Sequence, residues 1–314
     1  MNSKKIAFLF SGKGSQYIGM GKENLANTAF KEVFDRCNKD NELAHVCFED
    51  IDRLNATRDA QWAIYSISMA SANMLVQEGI QPSGCIGLSL GEYSAYGFAK
   101  AYSIEDGVML TKKRGALMQD TIEKTKSGMA AILALSSDKI EEACKSASNI
   151  GVVSVANYNA PDQIVITGEE NALEQAMQNC MDLGARRAIK LAVSGAFHSS
   201  LLIPAQAELE KALNEVSWSK PTIPVYTNFT GSVADNIVNS LKEQLVSPVL
   251  FQKGIEKMIV DGFDTFIEIG PKTTCSSFIK KIALANNTTV TICNVDDMKS
   301  FEKTKEIILG GNHE

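Results

Sequence analysis

Gly87-Leu88-Ser89-Leu90-Gly91 has the spacing G-x-S-x-G. A serine that attacks an acyl carbon must sit on a sharp turn between a strand and a helix, so that its hydroxyl projects into a cleft, and the flanking glycines permit that backbone. The following helix then aims free N–H groups at the oxyanion that forms. Five residues alone are a weak signal, but here an apolar run, Cys85–Leu88, precedes the turn and a helical run begins near Glu92. Ser89 is the expected nucleophile, and a helix-capping serine is the alternative. Its base must come from three histidines. His45 lies in a polar, acidic stretch and reads as a surface residue, and His313 is penultimate and expected to fray. His198, in Ser194-Gly195-Ala196-Phe197-His198-Ser199, is the base by elimination, with a structural histidine as the alternative. No Asp or Glu can be nominated to orient it, and a backbone carbonyl would serve equally well.

The elements that must position this pair follow from the apolar pattern. Ile6–Phe10 reads as a short buried strand ending at Ser11-Gly12-Lys13-Gly14. Gln61–Glu78, rich in Ala, Ser and Met on most faces, reads as a helix buried on both sides, with Met74 in the core, and Pro82 ends that pattern. Strand, small-residue turn and helix around Ser89 are an α/β signal. A helix is expected over Ile104–Thr125, with Arg114 near its middle. Residues 128–191 differ. Strands are expected at Met129–Leu135, Gly151–Asn157, Gln163–Thr167 and Ala185–Leu191, with helices at Asp138–Ser146 and Glu169–Leu183 and a turn at Asn159-Ala160-Pro161-Asp162. That order, β-α-β-β-α-β, is the ferredoxin-like signature. From Ala196 the pattern returns to a helix, then to short strands near Val225–Thr227 and Thr265–Ile269. The expected fold is therefore α/β, a discontinuous α/β-hydrolase-like large subdomain (1–127 and 192–314) with an inserted ferredoxin-like small subdomain (128–191).

The 314 residues carry a formal charge of −6, and 45% are hydrophobic. This is a globular composition that excludes a disordered or coiled-coil chain. The acidic balance argues against nucleic-acid binding. No apolar run approaches the ~18 residues of a membrane span, and no signal peptide is expected. Seven scattered cysteines without a CxxC pair suggest no metal site, and they read as reduced, mostly buried thiols of a cytoplasmic protein.

Four motifs in order then resemble one family. They are Phe10-Ser11-Gly12-Lys13-Gly14-Ser15-Gln16 with Gly19-Met20-Gly21, the GLSLGEY run Gly87–Tyr93, Ala196-Phe197-His198-Ser199, and Ile267-Glu268-Ile269-Gly270-Pro271. Lys113-Arg114-Gly115 with Met118, and Gln244 with Ser247-Pro248-Val249, add two more. The chain resembles the malonyl-CoA:acyl-carrier-protein transacylases of fatty-acid synthesis and the related acyltransferases of polyketide synthesis. The resemblance implies ping-pong transfer through a malonyl ester of Ser89, with His198 as base and no cofactor, coenzyme A thioester being a substrate. It implies an oxyanion hole from the backbone N–H groups of Lys13 and Leu90, and a backbone carbonyl near Gln244 that orients the histidine. It pairs Arg114 with the free malonyl carboxylate, a role that suits a planar, permanently charged fork. Without the motif, Arg114 would read as one of an exposed Lys112-Lys113-Arg114 run.

Four positions depart from the family pattern. Ser11 and Lys13 replace Pro and Gln in the first loop, and Leu88 replaces the usual His before the nucleophile. A lining role for Gln61 follows only loosely, because Trp62 stands where the family often has Pro. Phe197 matches the malonyl-preferring form of its motif and would crowd an α-methyl branch, although such pockets discriminate by only ~1–3 kcal/mol. The competing readings are an acyl hydrolase on the same fold and a non-catalytic docking module for a carrier protein. Retention of Arg114 disfavours the hydrolase, and retention of Ser89 and His198 disfavours the docking module. The implied partners are malonyl-CoA and an acidic acyl carrier protein, met as a monomer through a basic rim for which Lys190 and Lys280-Lys281 are candidates.

Overall fold

The computed structural model describes residues 4–193 and 195–310, and Ser194 and His313 lie outside them. In chain order the elements are β1 (Ile6–Phe10), α1 (Thr28–Cys37), α2 (Glu42–Phe48), α3 (Ile51–Asn55), α4 (Thr57–Gln77), β2 (Gly84–Gly87), α5 (Gly91–Phe98) and α6 (Ile104–Ile122). There follow β3 (Ser127–Leu133), α7 (Ser137–Ala147), β4 (Val153–Ala160), β5 (Gln163–Glu169), α8 (Glu170–Asp182) and β6 (Arg187–Lys190). The chain closes with α9 (Ile203–Asn214), β7 (Val225–Tyr226), α10 (Ile237–Gln244), α11 (Phe251–Val260), β8 (Thr265–Ile269), α12 (Thr274–Ala285), β9 (Thr291–Val295) and α13 (Met298–Leu309).

Two sheets divide the molecule. The first has the order β7-β2-β1-β8-β9, and all its neighbours pair in parallel. Parallel strands need cover on both faces, which is why β1 reads as an unbroken apolar run and why β1, β2 and β8 are buried throughout, Glu268 of β8 included. The second, β4-β5-β3-β6, is antiparallel and comes from the β-α-β-β-α-β stretch. Its strands depart from expectation at their ends. β4 runs on to Ala160, which pairs with Gln163, so the hairpin turn is Pro161-Asp162 alone. The ladder skips Ala156 and Asn159 as bulges, and beside the first of them the Val249 N–H of the large part donates to the Ala156 carbonyl at 2.8 Å while the Tyr158 N–H donates to the Val249 carbonyl at 2.9 Å. β6 is shorter than Ala185–Leu191, because it is an edge strand paired only with β3. The helix expected from Ala196 begins at Ile203 instead, where Pro204 in the first turn suits the missing N–H. The parallel edge strand β9, only half buried, had no clear apolar alternation to announce it.

Helix α4 is buried on nearly every face, and Met74 lies in the core. It meets α6 closely. A Cβ on Gly115 would lie 2.6 Å from the Arg58 carbonyl oxygen and 2.8 Å from that of Thr57. This approach brings Gln61 of α4 against Arg114 of α6. All seven cysteines are buried and unpaired. Among the described residues no helix is long and apolar enough to cross a membrane.

The glycines of the G-x-S-x-G turn have a direct steric cause. A Cβ on Gly87 would fall 1.9 Å from the carbonyl carbon of Gly91, and one on Gly91 would fall 2.0 Å from the Phe10 carbonyl oxygen. Both neighbours are backbone and cannot rotate away. Gly91→Ala is therefore expected to destabilise at or beyond the ~1–3 kcal/mol usual for overpacking, measured as a shift in urea midpoint. An unchanged midpoint would contradict this packing.

Candidate active site

Ser89 stands between the end of β2 and the start of α5 with φ 53°, a left-handed conformation that an L-residue adopts only where its surroundings hold it. Asn228, just beyond β7, holds it. The Asn228 side chain accepts from the Ser89 N–H at 2.7 Å and donates to the Gly87 carbonyl at 2.7 Å. The first loop presses on the same turn. A Cβ on Gly12 would lie 2.5 Å from the Leu88 carbonyl oxygen, so only glycine allows Lys13 to stand so near. The IEIGP run fixes the far wall. Glu268 accepts from the N–H groups of Cys275 and Ser276, and so anchors the start of α12, which lends Thr274 and Phe278 to the cavity.

The structure brings Ser89 and His198 together from 109 positions apart, with Ser89 Oγ 2.8 Å from His198 Nε2. His198 Nδ1 lies 2.9 Å from the backbone oxygen of Gln244, so this nitrogen carries the proton and Nε2 is left to accept one. The orienting group is thus a carbonyl, one of the two options that sequence left open. Burial lowers the His198 pKa from 6.5 to about 4, the Arg114 charge adds to this, and the Gln244 carbonyl opposes it. The imidazole is neutral at pH 7 and ready to accept the serine proton. Acylation of Ser89 should therefore hold nearly constant from pH 7 to pH 5 and fall only near pH 4, as read from the pH profile of the loading rate. A half-maximal rate near pH 6.5 would contradict this environment.

Arg114 is 1% exposed, so the structure removes it from the exposed run in which sequence alone would leave it. Its Nη1 donates to Gln61 Oε1 at 2.6 Å. Its Nη2 donates to Gln244 Oε1 at 3.0 Å and to Ser89 Oγ at 3.1 Å. Its guanidinium lies over the Tyr93 ring, 5.2 Å from the centroid. Among the described residues no carboxylate pairs with it, and its Nε–H is buried without an acceptor. Gln61, a loose nomination from sequence, is fully buried and helps hold this fork.

Lys13, Leu90 and Phe197 close the arrangement. Neither the Lys13 nor the Leu90 backbone N–H donates to a protein group among the described residues, so both are available to an oxyanion. The Lys13 ammonium lies 5.5 Å from the Phe197 ring centroid, and burial lowers its pKa. Ser89, His198, Arg114, Gln61, Lys13 and Phe197 all line one cavity of about 390 Å³, whose opposite wall is the antiparallel sheet with Asn157, Asn159 and Gln163. Sequence reasoning missed Asn228, Glu92 and that polar wall. A residue just past the carboxyl end of a parallel strand, as Asn228 is, was the available signal. Of the two remaining histidines, His45 is exposed, beside Glu49 and Asp50.

This geometry defines a class. A serine on a strand–turn–helix elbow, a neutral histidine beside it and two free N–H groups form the apparatus of acyl transfer through a serine. The sequence comparisons agree, since an acyl transferase domain model matches residues 7–305. The chain belongs to the acyl transferase domain family. It is similar to the malonyl CoA-acyl carrier protein transacylase of Bacillus subtilis (strain 168), at 40% identity over 88% of this chain and 90% of that protein. Among solved structures it resembles the malonyl CoA-acyl carrier protein transacylase of Clostridium perfringens, at 44% identity, 98% coverage of both chains and a TM-score of 0.94. It also resembles a malonyl-transacylase solved in complex with its type II PKS acyl-carrier protein, at 30% identity, 97% of this chain, 100% of that chain and a TM-score of 0.92.

Proposed function

We propose that the chain is an acyl-carrier-protein S-malonyltransferase. The observation that carries this reading is Arg114, a buried cation with no carboxylate in direct contact among the described residues, 3.1 Å from the nucleophile. Buried charges are ordinarily paired, and an unpaired guanidinium in a cavity selects a substrate that brings its own carboxylate. The relatives' names support malonyl as that acyl group, and the complex with a carrier protein supports the acceptor.

In this mechanism Ser89 Oγ attacks the thioester carbonyl of malonyl-CoA while His198 Nε2 takes its proton. The N–H groups of Lys13 and Leu90 receive the oxyanion, and Gln61 and Arg114 hold the malonyl carboxylate. The carbon–sulfur bond breaks, and coenzyme A leaves with the proton from His198. The phosphopantetheine thiol of the acyl carrier protein then attacks the malonyl-Ser89 ester, giving its proton to His198, which returns it to Ser89. Phe197 narrows the cavity against a branched acyl chain.

The large part, 1–127 and 192–314, carries the dyad, and the small part, 128–191, supplies the facing wall. We read the chain as a monomer of the cytoplasm that needs no cofactor, and its seven unpaired thiols fit a reducing compartment. The basic rim for the carrier is narrower than its three candidates. Lys190 already pairs with Glu170 and Glu174, and Lys281 with Asp162, whereas the exposed Lys280 has no carboxylate partner among the described residues.

Transfer is separated from hydrolysis by loading the enzyme with labelled malonyl-CoA and following the label with and without holo acyl carrier protein. Discharge is expected to be at least ~10²-fold faster onto carrier than onto water, given the positioning of a bound thiol. Equal rates would make the protein a hydrolase.

A further inference from the structure

The dyad has no acidic third member, yet a carboxyl lies one hydrogen bond behind its orienting residue. Glu92, in the first turn of α5, is completely buried. Its Oε2 accepts from the side-chain Nε2 of Gln244 at 2.9 Å and from the backbone N–H of Asn228 at 2.8 Å. Gln244 is the hub. Its Nε2 also donates to the Ser89 carbonyl at 2.9 Å, its Oε1 accepts from Arg114 Nη2, and its backbone oxygen faces His198 Nδ1. Asn228 is the residue that clamps the Ser89 turn.

We propose that Glu92 is a positioning residue that fixes the Gln244 amide, and through it the aim of Arg114 and the seat of His198. An amide can turn over by 180°, exchanging its oxygen and its NH₂. Glu92 Oε2 already accepts from the Asn228 N–H and stays an acceptor whether or not Oε1 carries a proton, so it demands the NH₂ end of Gln244, and the oxygen end is left for Arg114. If the amide turned over, NH₂ would face the guanidinium, two donors would meet, and Arg114 would be pushed from its place beside Ser89. The same carboxyl satisfies the Asn228 N–H, so both braces of the nucleophile turn end on one side chain. Burial pushes the Glu92 carboxyl up from 4.5 to about 7, against the Asn228 and Gln244 hydrogen bonds and the Arg114 charge. What Glu92 supplies is therefore an acceptor at a fixed point, which a neutral amide oxygen can reproduce.

The inference rests on the transfer reading for its selectivity arm, and a second arm is independent of that reading. The full-length protein is compared as wild type, Glu92→Asp, Glu92→Ala and Glu92→Gln. Loading from malonyl-CoA and from acetyl-CoA is followed by rapid quench, and Ser89 acylation by p-nitrophenyl acetate is followed by burst kinetics. Asp draws the carboxylate back by one carbon, and Ala removes it. In both, malonyl loading should fall by ~10²-fold, the cost of a misplacement near 1 Å, while acetyl loading falls much less, so the malonyl-to-acetyl ratio drops. Glu92→Gln, which keeps an acceptor oxygen at the same place, should restore both rates to within about threefold of wild type, a difference under 1 kcal/mol. A merely structural carboxyl would lower both acyl groups equally and leave the ratio unchanged, which would overturn the proposal. So would a Glu92→Gln enzyme as impaired as Glu92→Ala. If neither Asp nor Ala folds, Glu92→Gln decides alone, since retention supports the proposal and loss overturns it. If wild type loads no malonyl, the transfer reading fails, and the p-nitrophenyl acetate burst, slowed in Asp or Ala and restored in Gln, still tests Glu92.

Discussion

Ser89→Ala is expected to lower kcat for malonyl transfer by ~10⁴-fold or more, the scale on which serine–histidine sites lose activity without their nucleophile. The variant should fold normally, because Ser89 Oγ is bonded only to His198 and Arg114, and neither bond holds the turn. The turn is held by Asn228 and by the glycine contacts, and alanine leaves both unchanged. Serine and alanine both carry a Cβ, so φ 53° costs each about the same steric strain. Thermal unfolding should therefore stay close to wild type while turnover disappears. A Ser89→Ala enzyme that keeps a tenth of its activity would remove Ser89 from the chemistry.

Arg114→Ala is expected to have the second-largest effect, and a selective one. Two charge-assisted hydrogen bonds to a carboxylate at about 1.5–3 kcal/mol each correspond to a loss of ~10²-fold or more in kcat/KM for malonyl-CoA. Acetyl-CoA has no carboxylate to lose, so its kcat/KM should fall far less and the malonyl-to-acetyl ratio should collapse. Arg114→Lys should recover only part of the ratio, because an ammonium cannot donate through a planar fork while also holding Gln61 and Gln244. A ratio unchanged in Arg114→Ala would show that the carboxylate binds elsewhere.

Two opposed protonation effects shape stability. His198, lowered to about 4 from 6.5, contributes stability that is present above 6.5 and is lost as pH falls towards 4. Glu92, raised to about 7 from 4.5, contributes stability that is present below 4.5 and is lost as pH rises through 7. Between about 4.5 and 6.5 the two largely offset. A melting temperature nearly independent of pH in that window is therefore compatible with both shifts.

The parts of the site that depend on local pattern were legible in the sequence. Ser89 was, because the elbow needs glycines at fixed offsets, and the structure shows why in the contacts of Gly87 and Gly91. His198 was reached by elimination among three histidines, which is a matter of counting. Arg114 was half legible. Its neighbours Lys112 and Lys113 suggest an exposed run, yet Gly107, Leu110, Thr111, Arg114, Gly115 and Met118 fall on one helical face, and that face is buried. Glu92 and Asn228 were not assigned. Their roles come from hydrogen bonds across 136 and 139 positions of chain, and no local period records such pairing. Of the fold, the β-α-β-β-α-β order was clear because short continuous apolar runs, as in β3 and β5, are separated by a turn and by helices that each bury one face. Edge strand β9 was missed because only Cys293 and Val295 are buried and polar residues interrupt the apolar ones.

Ser89 is proposed to carry the acyl group between two thiols. The most direct test is peptide mapping by mass spectrometry of the enzyme quenched after brief exposure to malonyl-CoA. The expected result is one malonyl group per chain on the peptide containing Ser89, absent from Ser89→Ala, and removed on addition of holo acyl carrier protein with malonyl appearing on the carrier. Malonyl on another residue, or carrier malonylated by the Ser89→Ala enzyme at the wild-type rate, would contradict it.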